Sequence, residues 1–406
     1  MTKTSLWLLS VVLLTTGALS CSDSGSGAAS NPDEQLGDDA LTLRREVLGH
    51  LGESVILVEY RAFEQAAEAL EQASGAWAES GADADRQAAQ EAWRAAMSQW
   101  QRCELLQVGP AGLMGTVAGG EDLRDEIYSW PLTNPCRVDQ EVVEAAFDDP
   151  TAFAEEPVNV RGLDALEYLL FSASADNACA PNSAINRDGA WAALSADELA
   201  GRRARYSRTL AADLRARAAA LRTAWEAEGG NFLLELREAG ASSQTYPSTQ
   251  DALNALSDAM FYLEKETKDM KLAIPAGLSD ACSVETCPED LESPYAQHSK
   301  ENIIANLRSF RLMLLGAEPG VEAPGFDDLL IIVGAEEVLT ALVEGIDAAM
   351  TALEAIDGTM AEALATNPES VVTAYEALQS MLVEFKTRFI GVLDLEIPQR
   401  AEGDND

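Results

Sequence analysis

Three observations predict an all-α fold. Alanine, leucine and glutamate recur throughout, and aromatic residues make up only 6% of the chain, a composition that favours helices. Apolar residues return at three- and four-residue spacing in long runs, and no run alternates with period two. The breaks between runs are short and marked by glycine or proline. Long helices joined by short breaks pack as bundles. A chain of 406 residues exceeds one small core. The expectation is two packed helical-bundle domains, 41–240 and 241–398, followed by an acidic tail at 399–406.

Each element has its own signal. Residues 1–20 read as an export signal: Lys3 supplies the positive start, Leu6 to Leu14 the short apolar region, and Gly17-Ala18-Leu19-Ser20 the small-residue stretch before Cys21. That ending is similar to the bacterial lipoprotein cleavage box, with Ala18 where leucine is more usual. It implies a mature chain starting at a lipidated Cys21 that ties it to a membrane. Ser22 after the cysteine leans towards the outer membrane. Ser, Gly, Ala and Asp dominate the next stretch and predict a tether over 21–40. Val47, Leu51, Val55, Val58, Phe63, Ala66 and Leu70 form the stripe of the first helix. Trp93, Met97, Trp100 and Leu106 mark the next, which Gly109-Pro110 ends. Ser195-Ala-Asp-Glu198 has the form of a capping box and opens a long Arg-rich helix to about residue 227. Gly240 to Ser248 is a polar linker. Helices come next over 251–270, 299–315, 326–356 and 368–393. His298 is expected as an exposed neighbour of the third-last of these.

The formal net charge of −40 excludes a nucleic-acid binder, because phosphate neutralisation dominates that affinity. The Gly-rich stretch 111–120 lacks the Lys and Ser/Thr of a phosphate cradle. Export permits disulfides. Cys282 and Cys287 flank a short loop and are the best pair. Two of Cys103, Cys136 and Cys179 can form another, and spacing leaves that choice open.

The stretch Val158 to Ser172 carries the functional signal. It turns at Gly162 into a short helix that is apolar around most of its circumference, and such a helix is buried. Asp164 and Glu167 fall on one side of it, three residues apart. Enclosed carboxylates need a cation, a proton or several donors.

Several phrases in order support a family resemblance: AWRAAMSQWQRCELLQVGP (92–110), EIYSWPLTNPCRVD (126–139), NVRGLDALEYLLF (159–171), LESPYAQHSKENIIANLRSFRLMLLG (291–316) and GFDDLL (325–330). Their order resembles imelysin-like proteins, also called the M75 or iron-regulated protein A family. The resemblance implies an all-helical, two-bundle fold. The family motif Gly-x-His-x-x-Glu falls on Gly162 to Glu167, with Asp164 in the histidine position. An imidazole suits zinc, copper or iron, whereas two carboxylates suit a harder ion such as ferric iron or calcium better than zinc. Asp164 and Glu167 are therefore the candidate metal ligands. Glu104, Trp130 and Arg161 are candidates to line the same cleft and bind a ligand there.

Three functions are compatible with this reading. The first is a lipid-anchored envelope protein of this family that binds a metal ion or a metal-bearing small ligand, as in iron acquisition, between its domains. The second is a metallopeptidase, for which the resemblance speaks but the missing His-Glu-x-x-His motif does not. The third is a non-catalytic docking protein with an envelope partner, its acid pair satisfied by arginine or backbone donors.

Overall fold

In the computed structural model, which describes residues 31–398, the chain is built from helices, and no strand occurs among the described residues. The export signal, Cys21 and the acidic tail lie outside those residues. After a short 3₁₀ helix (Pro32–Gln35), the chain forms α1 (Asp38–His50), which runs through a π-helical segment (Leu51–Ile56) into α2 (Leu57–Ser80). Gly81, in the left-handed conformation, stops it, and α3 (Asp83–Cys103) returns alongside. Short helices α4 (Pro135–Glu144), α5 (Pro150–Phe153), α6 (Gly162–Phe171) and α7 (Ala184–Arg187) lead to the 30-residue α8 (Ala196–Trp225). Helices α2, α3, α6 and α8 pack together as a first set.

After α9 (Phe232–Arg237), α10 (Thr249–Met260) begins at a capping box in which Ser248 and Asp251 serve each other's backbone. A π-helical stretch (Leu263–Ala273) comes closely after it. With α11 (Ser299–Leu315), α13 (Glu336–Glu354) and α15 (Pro368–Glu384), it forms the second set, while α12 (Phe326–Ile332) and α14 (Met360–Thr366) are short connectors. Helix α3 lies against α11 along the seam between the sets, and α1 crosses to pack on α9, α10 and α12. One apolar cluster runs continuously through both.

Three sequence expectations are corrected. The tether expected up to residue 40 is folded from Asn31: Asp33 is buried and accepts a 2.8 Å bond from the Thr249 backbone N–H. Val58, placed on the first stripe, is 46% exposed because the π segment shifts the helical register, and Leu57 and Tyr60 are buried instead. The single helix expected over 326–356 is two, broken at Gly334, whose φ is +72°. The Cys282–Cys287 bridge is present, Cys136 pairs with Cys179, and Cys103 is free and buried. Closing the 43-residue span stabilises by about 4 kcal/mol on the chain-entropy account.

Candidate functional site

Helix α6 is seated by its first residues. Gly162 has φ +77°, and a Cβ there would lie 2.5 Å from the Ile127 carbonyl oxygen, so only glycine fits this close approach. The next residue, Leu163, donates its N–H to that same carbonyl (3.0 Å) and accepts from Trp93 Nε1 of α3 (2.9 Å). Every residue from Gly162 to Leu170 is buried, as an all-round apolar helix requires.

The two carboxyls of α6 point into hydrogen-bond donors. Asp164 Oδ2 accepts from the Ser129 N–H (2.9 Å) and the Ser129 hydroxyl (3.0 Å), and so holds the 127–131 turn. One turn on, Glu167 Oε1 accepts from the Tyr295 and Ala296 N–H groups, each at 2.8 Å. Those residues precede α11, so Glu167 fastens the first set to the second. Among the described residues, no Lys or Arg forms a salt bridge to either acid and no hydrogen bond reaches Glu167 Oε2. Burial pushes Asp164 up to about 6 against its hydroxyl and N–H donors. Burial pushes Glu167 up to about 8, and the neighbouring Asp164 charge adds to the rise.

A polar network surrounds the pair. Glu292 Oε1 accepts from Gln101 Nε2 (2.8 Å) and the Tyr128 hydroxyl (2.6 Å), while its Oε2 takes Asn302 Nδ2 (2.9 Å) and faces Lys271 Nζ (3.1 Å). Lys271 also donates to Gln101 Oε1 (2.6 Å) and Asn306 Oδ1 (2.9 Å); burial pulls its pKa down, and Glu292 opposes that. Glu104, fully buried, is gripped by Arg124 through two bonds of 3.1 and 2.8 Å. The four carboxyls Glu104, Asp164, Glu167 and Glu292 thus share two cations, Arg124 and Lys271. Arg124 and Lys271 pair directly with Glu104 and Glu292, so the burial of Asp164 and Glu167 is met by hydrogen-bond donors and by retained protons.

Of the residues singled out in the sequence, Asp164, Glu167 and Glu104 are buried at this seam, and Glu104 spends its oxygens on Arg124. The Trp130 ring lies 5.8 Å from Lys271 Nζ, and its bond to Pro131 is cis. Arg161, expected beside Asp164, instead holds Glu126 (2.8 Å), Asp213 (3.3 Å) and the Glu156 carbonyl (2.6 Å). Its place just ahead of α6 put it near the acid pair in sequence, but those other acids claim its guanidinium. Among the described residues, no three His, Cys, Asp or Glu side chains stand together as a metal-ligand group. Two carboxylates without histidine or cysteine beside them do not make a zinc site.

Sequence reasoning missed Lys271, Gln101, Tyr128 and Glu292. A lysine within a charged run gives no sign of full burial, and Glu292 stood inside a family phrase without a role. It also misjudged His298, which is 8% exposed and bonded to Ser98.

The imelysin family model matches residues 56–387. A crystal structure described as an iron-regulated protein A precursor from Parabacteroides distasonis ATCC 8503 superposes with a TM-score of 0.66 at 17% identity, covering 87% of this chain and 94% of that one. An imelysin-like protein from Psychrobacter arcticum 273-4 gives 0.64 at 17% identity, with 88% and 97% covered. At that identity both likenesses speak for the fold alone. No curated protein matches.

Proposed function

This chain belongs to the imelysin family, and from that premise we propose that it is an exported, lipid-anchored envelope protein that binds a metal ion or metal-bearing ligand at the seam between its two helical sets. The observation that carries the reading is the buried pair Asp164 and Glu167, held by N–H and hydroxyl donors with no salt bridge to either among the described residues. A hard cation at the pair supplies positive charge that protons supply otherwise, and Glu167, raised to about 8, gives up its proton on uptake near neutral pH. Iron is the first ion to test, since a neighbour of the same fold is described as iron-regulated. Calcium, the other hard ion, comes second. Asp164 in the histidine position of the family motif removes the imidazole a zinc peptidase would use. The two histidines of the sequence lie elsewhere, His50 on the Gly316 carbonyl (2.8 Å) and His298 on Ser98 (2.8 Å). The reading keeps Cys21 as the membrane anchor.

Elemental analysis of the full chain, then titration calorimetry with ferric citrate and with calcium at pH 6.5 and 8, tests the proposal. One bound ion, lost in Glu167→Gln and in Asp164→Asn and accompanied by proton release, is the expected result. Metal-free protein that takes up neither ion overturns it.

A further inference from the structure

Outside the acid pair, the seam holds a second arrangement of reactive groups. Ser98, in the last two turns of α3, has its hydroxyl 2.8 Å from His298 Nε2. The other ring nitrogen, Nδ1, faces the Glu301 carboxylate at 3.9 Å. A serine hydroxyl on one imidazole nitrogen and a carboxylate on the other is the order that prepares a serine for attack. The carboxylate favours the tautomer protonated at Nδ1, which leaves Nε2 to accept the Ser98 proton. Trp93, edge-on at 6.1 Å, packs beside the ring.

Two of the three border open space, with the His298 ring buried behind them. A groove of about 290 Å³ runs between α3 and α11, and both Ser98 and Glu301 line it. Ala95, Ile304 and Ala305 form its apolar wall, and Arg308 stands at its edge. Arg102 also lines it but is committed to Glu59 and Glu318. Arg308 is exposed and makes no ion pair or hydrogen bond with described residues, so a guanidinium is free to meet an anion. Helix α11 starts at His298 without a side-chain cap, since the ring is given to Ser98 instead. Glu301 sits in that first turn, where the positive end of the helix dipole favours negative charge.

We propose that Ser98, His298 and Glu301 form an acyl-transfer site that hydrolyses small esters bearing an anionic group, with Ser98 as nucleophile. Ser98 Oγ bonds to the acyl carbon while its proton passes to His298 Nε2. The ester C–O bond breaks, and the leaving oxygen takes that proton. Water then attacks the acyl-serine, gives a proton to Nε2, and Ser98 recovers it as the carboxylic acid leaves. Glu301 steadies the transient imidazolium. Arg308 pairs with the carboxylate or phosphate of the ester. Burial lowers the pKa of His298, which keeps the ring neutral and ready to accept at pH 7.

The test uses the full chain with chelator present, so that its outcome is separate from that of the acid pair. A fluorophosphonate probe should add once, at Ser98, by peptide mass spectrometry, and Ser98→Ala should lose the label. Glu301→Gln, exposed and harmless to folding, should slow labelling at least fivefold. The 4-nitrophenyl half-ester of succinate should be cleaved several-fold faster than 4-nitrophenyl acetate, and Arg308→Ala should abolish that preference. An unchanged mass, a label on another residue, or undiminished ester cleavage by Ser98→Ala overturns the proposal.

Discussion

Replacing Glu167 by Gln separates the charge of the seam from its geometry. The amide oxygen can still accept from Tyr295 and Ala296, so the fastening of the two sets survives. What disappears is the ionisable group. A buried carboxyl raised from 4.5 to about 8 binds its proton more tightly folded than unfolded. Its contribution to stability is therefore full below pH 4.5 and is lost as the pH rises towards 8. Each unit of pH in that window costs the native chain about 1.4 kcal/mol, and the whole shift amounts to about 4–5 kcal/mol. Asp164, raised to about 6, adds to the fall at the acid end of the same window in both proteins. Urea unfolding of both proteins at pH 5, 6.5 and 8, with chelator present, measures the difference. Glu167→Gln should match the parent near pH 5 and exceed it increasingly towards pH 8. Parallel stability curves across this range would refute the reasoning, since they would mean that Glu167 is not forced to keep a proton.

Two further outcomes are expected from the same seam. Gly162→Ala places a Cβ against the Ile127 carbonyl at a φ that L-residues avoid, and should cost about 2–4 kcal/mol in urea unfolding, with α6 displaced from the turn that holds Asp164. Lys271→Met strips Glu292 of its ammonium and should cost about 3–5 kcal/mol; adding Glu292→Gln should recover part of that loss, and a double-mutant cycle reads the coupling.

The helices, the Cys282–Cys287 bridge and the burial of α6 were legible because each follows from spacing along one element. Leu163, Leu166 and Leu170 mark one side of α6 whatever it packs against, and Gly162 announces its turn. Cys282 and Cys287 were readable as a pair because so few residues separate them. The partner of Cys136 was not, because which cysteine lies opposite depends on how α4 meets the loop after α6. The network of Gln101, Lys271, Glu292 and Asn306 was hidden for the same reason. Its members come from α3, a π-helical stretch, a loop and α11, and none signals its neighbour locally. Ser98 and His298 lie 200 positions apart, and only the seam brings them into contact.

The clamp of Asp33 on Thr249, with Asn31 reaching the Pro247 carbonyl, has a mechanical consequence for the anchoring proposed at Cys21. Ten peptide steps separate residues 21 and 31, and a chain that long reaches at most about 35 Å. On that proposal the body would ride that close to the bilayer, with its point of entry beside the 240–249 loop. A pull transmitted through Asn31 would load Asp33 and the start of α10 first. Spacer residues inserted ahead of Asn31 would therefore change the height at which the protein works and leave its stability as it is.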